Sequence, residues 1–144
     1  MDLLFGIDTY AHLGTLQNKN IGKTIAVLGS GLDEIYPKEN IELAKQIIKS
    51  GGCIISENPL GTKPEKLNFP KRNRIISGLS QGVLVVEAGE KSGSFITIDF
   101  ALEQGKEVFS VPGDIFSVTS LGTNNLIKQG AKLVTNYLDI LSEI

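Results

Sequence analysis

The stretch FPKRNR, from Phe69 to Arg74, holds the only two arginines in a chain of 144 residues. Lysine supplies all the other cations, so a need for solubility does not explain why the two guanidinium groups lie so close together. A guanidinium is a planar fork of donors that suits phosphates and carboxylates held in a defined geometry. The stretch is therefore a candidate anion-binding site.

The cations around this stretch form a local basic patch. Lys63, Lys66 and Lys71 join the two arginines to give five cations within twelve residues, although the whole chain has a net charge of −2. That net charge excludes indiscriminate coating of nucleic acid, which needs a broad basic surface, but it allows a small basic groove. Phe69 offers a ring for base stacking, or alternatively a hydrophobic staple at the start of a helix.

Helical spacing separates the two arginines. Ile75, Ile76 and Leu79 lie three, four and seven positions after Arg72, so Arg72 begins the buried stripe of a predicted helix. Arg74 cannot share that face. We expect Arg72 to point over the strand ends into a site, and Arg74 to reach sideways to a second phosphate, a carboxylate or another subunit. The plainer alternative is that both are ordinary surface charges.

Short apolar runs alternate with helix-period segments along the chain. The runs are continuous, as expected for strands covered on both faces, and the alternation predicts an α/β fold with a mainly parallel sheet of about five strands. No linker or repeat interrupts it, so we predict a single domain over residues 1–144. The predicted strands are Thr24–Leu28, Cys53–Ser56, Val83–Val86, Val108–Val111 and Lys132–Val134, and the predicted helices are Glu39–Lys49, Ser94–Gln104, Asn124–Gln129 and Tyr137–Ile144.

Small residues follow several of these strands, where parallel α/β sheets bind their ligands. Small side chains let backbone amides approach a ligand, and a helix N-terminus attracts anions. One glycine after a strand is more often a simple turn, and neither a complete dinucleotide fingerprint nor a Walker lysine pattern occurs. Several such loops together, with the arginines, predict a functional rim. Four such loops follow the first four strands, and two of them, Gly29-Ser30-Gly31 and Ser92-Gly93-Ser94, are called the small-residue loops below.

Single cysteine and histidine residues limit the chemistry. Cys53 alone allows no internal disulfide and is expected to be a small core residue, and His12 alone makes a zinc cluster improbable. No apolar run approaches the roughly 20 residues that span a bilayer, and no signal-like segment occurs. No spaced pair of residues compels acid–base chemistry. We therefore expect a soluble, cytoplasmic protein without a metal, a cofactor or a membrane partner.

Seven motifs in order along the chain resemble the DNA-processing protein A family, also called Smf or DprA. The resemblance implies a Rossmann-like three-layer core that binds single-stranded DNA, dimerises and helps to load a RecA-type recombinase during natural transformation, without being an enzyme. The motifs are GIDTYAH, TIAVLGSGLDEIYPKEN, ISENPLGTKP, FPKRNRIISGLS, VVEAGEKSGSFIT, VFSVPG and GTNNLIKQGAKLV.

The resemblance also implies roles for individual residues. DNA contacts are expected in the arginine stretch and in both small-residue loops, and self-association near the last helix–strand unit, where an apolar stripe equally fits ordinary core. Family members normally carry, ahead of GID, a strand and a Gly-Ser-Arg loop that this sequence lacks, so we expect weak DNA affinity. The implied DNA-contacting residues are Phe69, Lys71, Arg72, Arg74, Gly29, Ser30, Gly31, Ser92, Gly93, Ser94 and Thr97; the implied dimer residues are Leu126, Ile127 and Leu133.

Two alternatives use the same rim. The layout is similar to that of the cytokinin-activating phosphoribohydrolases, which cleave the N-glycosidic bond of a nucleoside monophosphate. Those enzymes follow their glycine-rich loop with a glutamate, whereas here Asp99 is the only carboxylate close after Ser92–Thr97. Hydrolysis is therefore the less favoured interpretation. The other alternative is a nucleotide-binding sensor without chemistry.

Overall fold

The structure, a computed structural model, describes residues 1, 3–4, 6–18 and 22–144. These residues form two compact units, Met1–Arg72 and Asn73–Ile144. The prediction of a single domain over residues 1–144 stays a prediction. Helix α3 (Asn68–Gly78) begins in the first unit and ends in the second.

The first unit is a parallel strand pair with two helices. Its elements are α1 (Ile7–Gln17), β1 (Ile25–Leu28), a 3-10 turn at Lys38–Asn40, α2 (Ile41–Lys49) and β2 (Cys53–Ser56). Ile25 lies opposite Cys53, and the register continues to Leu28 opposite Ser56. The sequence pattern did not predict α1, whose N-cap residue, Gly6, provides no side-chain hydrogen bond.

The second unit holds the remaining parallel strands. Strand β4 pairs with β3 on one side and β5 on the other. The predicted α/β class is confirmed, and each predicted strand is present. Among the described residues, however, the strands form separate sheets of two and three, not one sheet of about five. The elements are β3 (Gly82–Val85), α4 (Ser94–Glu103), β4 (Glu107–Ser110), α5 (Leu121–Lys128), β5 (Lys132–Leu133) and α6 (Tyr137–Leu141).

The core of the first unit forms where α2 covers the strand pair. Spacing predicts an apolar stripe on α2, and Leu43, Ala44 and Ile47 of this stripe are buried against β1. Ile41 and Ile48, which belong to the same predicted stripe, are exposed. Gly52 lets the chain turn from α2 into β2, because a side chain there would overlap the Thr24 carbonyl oxygen. Cys53, predicted to be a core residue, is exposed, since it lies at the first position of a strand that is only partly covered. The buried cluster comprises Leu3, Ala26, Leu28, Leu43, Ala44 and Ile47.

The core of the second unit depends on one close approach of α5. Gly122 donates its N–H to the Ala88 carbonyl at 2.8 Å, and an added Cβ would lie 2.6 Å from the same oxygen. The Asn124 side chain accepts a hydrogen bond from the Gly113 N–H at 3.1 Å and donates one to the Gly113 carbonyl at 3.0 Å. The loop after β4 is therefore tied to α5. The buried cluster comprises Val85, Ala88, Ile98, Ala101, Val108 and Leu126.

On one edge of β1, the backbone forms hydrogen bonds with Met1 and Arg72, which do not belong to any strand. The Val27 N–H donates to the Met1 carbonyl at 2.9 Å, and the Val27 carbonyl accepts from a guanidinium nitrogen of Arg72 at 2.5 Å. Arg72 is only 2% exposed. Its predicted burial is therefore confirmed, and its guanidinium lies against the backbone of β1. Leu79, placed on the same buried stripe by its spacing, is 60% exposed because α3 ends at Gly78.

We predict that Arg72→Met lowers the free energy of unfolding by about 1–3 kcal/mol. Methionine keeps much of the apolar volume but leaves the buried Val27 carbonyl without its donor. Urea denaturation followed by circular dichroism measures the change. Arg74→Ala, at an exposed position two residues later, is the control and should cost less than about 1 kcal/mol. Equal stability of Arg72→Met and the wild type would show that this hydrogen bond is dispensable.

The last helix, α6, is fixed by a capping box. The Asn136 side chain accepts from the Leu138 N–H at 2.9 Å, and Asp139 accepts from the backbone N–H groups of Thr135 at 2.8 Å and Asn136 at 3.1 Å. These hydrogen bonds, with that of Thr135 the largest cause, hold the pKa of Asp139 below its usual value of 3.8. The charged carboxylate therefore favours the start of α6.

Because the pKa of Asp139 is lower in the folded protein, its stabilising effect on α6 is complete above about pH 3.8 and is lost as the pH falls through the folded value. We expect the amide proton signals of Thr135 and Asn136 to shift toward random-coil positions in NMR spectra recorded between pH 5 and pH 2. In Asp139→Asn these signals should show no such titration. The same titration in that variant would assign the effect to another carboxylate.

Candidate functional site

The loop after β1, Gly29–Gly31, is buried and its polar groups bond within the protein. The Ser30 hydroxyl donates to the Glu34 carbonyl at 2.7 Å, and the Ser30 carbonyl accepts from the Ser56 hydroxyl at 2.6 Å. The Gly31 N–H donates to the Thr62 carbonyl at 2.8 Å. Ser30 and Gly31 were implied to contact DNA, but the Ser30 hydroxyl and the Gly31 N–H form hydrogen bonds that hold the loop itself.

Gly31 has no side chain, which allows the loop after β1 to contact the loop after β2 closely. A Cβ on Gly31 would lie 2.6 Å from the Pro59 carbonyl oxygen and 2.7 Å from a carboxylate oxygen of Asp33. Asp33 in turn accepts the Gly61 N–H with both oxygens, at 2.8 and 2.9 Å. Glycine thus allows the loop after β2 to lie directly on the loop after β1.

An aromatic pair lies at the carboxyl end of β1. The Phe69 ring packs on Gly29, where an added Cβ would lie 3.0 Å from Phe69 Cδ1. The Arg72 guanidinium carbon lies 5.7 Å from the centre of the same ring, within cation–π range. The Tyr36 ring centroid lies 5.9 Å from that of Phe69, with the ring planes tilted by 48°. The structure therefore brings Gly29, Phe69 and Arg72 together, and their role in DNA contact stays a prediction.

Sequence reasoning missed Tyr36, which it treated only as part of a Tyr-Pro turn. The residue is 45% exposed, so its ring is accessible while one part packs against Phe69. The available signal was an aromatic residue eight positions after the end of a strand, but spacing alone does not show that Phe69, 33 positions later, lies beside it.

The predicted cations differ in accessibility. Lys63, Lys66 and Lys71 are exposed in the first unit, and Arg74 is exposed in the second. The Arg74 backbone carbonyl accepts from the Gln104 side chain at 3.0 Å, which ties this part of α3 to the end of α4. Because the Arg72 guanidinium is buried, the accessible positive charge of the first unit comes from lysines.

The N-terminus of α4 carries the second small-residue loop. The Ser92 hydroxyl accepts the Ser94 N–H at 3.2 Å and donates to the Ser94 hydroxyl at 3.1 Å. Gly93 between them is exposed, and nothing lies within 4 Å of the place where its Cβ would be. Thr97 follows one turn later and is half-buried. The predicted start of a helix at Ser94 is confirmed, and the backbone at Gly93 is open to close approach.

The residues predicted for self-association divide between core and surface. Leu126 belongs to the core of the second unit, whereas Ile127 is half-buried and Leu133 is 43% exposed. Only the latter two side chains offer surface to a partner.

The single histidine has a structural position. His12 is completely buried, and its Nδ1 lies 2.6 Å from the Thr24 hydroxyl oxygen, which joins α1 to the start of β1. Within the described ranges, no three His, Cys, Asp or Glu residues are grouped as metal ligands. In the same part of the chain, each helix is too short or too polar to cross a bilayer.

Comparison with known proteins identifies the relatives of this chain. A family model described as DNA recombination-mediator protein A matches residues 3–144. Protein Smf of Escherichia coli K12 is 52% identical over 139 residues, which are 96% of this chain and 37% of the relative. The chain thus spans well under half of that protein and 48% of DNA processing protein DprA of Streptococcus pneumoniae.

Solved structures agree with the sequence comparison. The X-ray structure of DNA processing protein A from Streptococcus pneumoniae matches 99% of this chain and 50% of its own, with a TM-score of 0.90 and 49% identity. A structure of the Helicobacter pylori protein, described for its single-stranded DNA binding mode, matches 97% of this chain and 75% of its own, with a TM-score of 0.76 and 26% identity. The resemblance indicated by the seven motifs is confirmed, and the chain belongs to the DNA recombination-mediator protein A family.

Proposed function

We propose that this chain binds single-stranded DNA and, as a homodimer in the cytoplasm, assists the loading of a RecA-type recombinase during natural transformation. The relatives it matches are DNA processing proteins, and the Helicobacter pylori relative is described as binding single-stranded DNA. The chain covers only part of these relatives, so the activity of the whole proteins comes to it as a proposal.

One observation carries the proposal: the Phe69 ring is held on Gly29, and an exposed cation, Lys71, follows it two positions later near the start of the same helix. A single strand exposes both base faces and phosphates. Proteins that bind it without strong sequence preference combine aromatic stacking with a basic groove. Phe69 supplies the ring in this proposal, and Lys71 supplies a phosphate contact two positions away.

Further phosphate contacts in the first unit come from Lys63 and Lys66, with one acid, Glu65, between them. Such contacts add affinity that falls with salt, and they position the strand without reading its sequence. Arg72 is a positioning residue in this proposal: its guanidinium donates to the Val27 carbonyl of β1 and lies against the Phe69 ring. Gly29 packs against the same ring, and the hydrogen bonds of Ser30 and Gly31 hold the loop in which Gly29 lies.

The second unit contributes a separate phosphate-binding surface in this proposal. Ser92 and Ser94 bring hydroxyl groups to the N-terminus of α4, and exposed Gly93 leaves room for a phosphate to approach the backbone. The helix dipole favours an anion there. Thr97 adds a hydroxyl one turn later, and exposed Arg74 supplies a further cation.

We predict that Lys71→Ala weakens binding of a labelled oligo-dT several-fold at low salt. It should also reduce the slope of log affinity against log salt by about one, because one phosphate contact is lost. Fluorescence anisotropy across a salt series measures both. Arg74→Ala should show a smaller effect.

Lys49→Ala is the matched control for Lys71→Ala. Lys49 is an exposed lysine of the same unit, but it ends α2 just before β2 begins, at the amino end of the strands. Equal losses for both variants would indicate a general charge effect and not a site. Absence of oligo-dT binding by the wild type would refute the proposed function.

Self-association is proposed to use Ile127 and Leu133, with Leu126 supporting them from the core. We expect Leu133→Glu to halve the mass measured by multi-angle light scattering, because a charge would be buried in an apolar contact. Leu102→Glu, which changes an exposed leucine of α4, should leave the dimer intact. A wild-type mass equal to that of the monomer would contradict the dimer.

A further inference from the structure

Tyr36 is an exposed aromatic residue that is held in place by buried groups. Its ring touches Phe69, and Phe69 is fixed by Gly29 on one side and by the Arg72 guanidinium. The other tyrosine of the first unit, Tyr10, is 69% exposed and makes no such ring contact with the described residues. The orientation of Tyr36 is thus restricted before any ligand arrives, which lowers the entropy lost on binding.

We propose that Tyr36 is a second base-stacking residue and that Tyr36 and Phe69 together accept two bases of a single DNA strand. This inference rests on the proposed function and extends it to a residue that neither the motifs nor the comparisons assign. Each base presents an apolar face to an aromatic ring, and stacking of this kind tolerates any sequence.

The angle between the rings bears on selectivity. The two planes are tilted by 48° with centroids 5.9 Å apart, so bases lying on them would be splayed and not parallel. A single strand can open its stack in this way, whereas paired strands keep neighbouring bases parallel. The aromatic pair therefore favours single-stranded over double-stranded DNA.

The charge near Tyr36 is mainly negative, since three acids, Asp33, Glu34 and Glu39, and one cation, Lys38, lie within three positions of it. The residue is therefore expected to contribute through its ring and not through attraction to phosphate. Its share of the affinity should be nearly independent of salt, in contrast to the share of Lys71.

The first test uses intrinsic fluorescence, because the chain has three tyrosines and no tryptophan. The double variant Tyr10→Phe/Tyr137→Phe leaves Tyr36 as the only tyrosine and keeps its surroundings. We expect oligo-dT to quench its emission over the same concentration range in which anisotropy of the labelled strand reports binding. The variant Tyr36→Phe/Tyr137→Phe, which keeps only Tyr10, should bind without quenching. An abasic strand of equal length should not quench Tyr36.

The second test uses substitutions at position 36. Tyr36→Leu keeps an apolar side chain against Phe69 but removes the ring, and it should bind oligo-dT at least about five-fold more weakly. Its salt slope should be unchanged, and its affinity for the abasic strand should equal that of the wild type. Tyr36→Phe should bind within about two-fold of the wild type, and Tyr10→Leu should have no effect. Circular dichroism confirms that each variant is folded.

The outcomes separate the two proposals. If the wild type binds oligo-dT, but Tyr36→Leu binds equally well and the emission of Tyr36 is unchanged, this inference is wrong and the proposed function stands. If Tyr36→Leu loses affinity equally for the abasic strand, its effect does not come from stacking, and the inference is again wrong. If the wild type binds neither strand, the proposed function fails and the inference fails with it.

Discussion

The hydrogen bond from the Arg72 guanidinium to the Val27 carbonyl connects the scaffold of the first unit to its surface chemistry. It satisfies a backbone acceptor on the edge of β1 that no strand of the described chain pairs with, and it places a cation against the Phe69 ring. A buried cation is tolerated only when it is well hydrogen-bonded, and a buried carbonyl only when it has a donor. Each group thus meets the requirement of the other, and Phe69 is positioned as a consequence.

Three glycines in this protein allow segments of the chain to contact one another closely, which is clearer from the structure than a role in ligand binding. Gly31 allows the loops after β1 and β2 to touch, and Gly122 allows α5 to reach the Ala88 carbonyl. Gly29 packs directly against the Phe69 ring. Of the three glycines predicted to contact DNA, Gly29, Gly31 and Gly93, only Gly93 combines exposure with open space at its Cβ position. A small residue after a strand therefore has two explanations, and only the neighbouring loop decides between them.

Local patterns were sufficient for most of the secondary structure. Continuous apolar runs and helix-period stripes depend on neighbours along the chain, so the strands and the helices α2, α4, α5 and α6 were predicted to within a few residues. The predicted burial of Cys53 and of Leu79 was wrong, and the strands of the described residues form sheets of two and three where one sheet of about five was expected. The sheet arrangement and the exposure of Cys53 depend on which elements pack together, and the exposure of Leu79 depends on where α3 ends. The spacing of residues along the chain encodes neither packing nor helix ends.

The sequence by itself determined the α/β class, the family and the concentration of cations around Phe69, because each follows from residue types and their order along the chain. Tertiary structure alone decided the environment of those residues. It buried Arg72 while leaving Lys71 exposed one position earlier, and it brought Tyr36 to Phe69 across 33 positions. The physical reason is that burial and ring contact depend on the three-dimensional course of the backbone, so adjacent residues can have opposite environments and distant ones can share a surface.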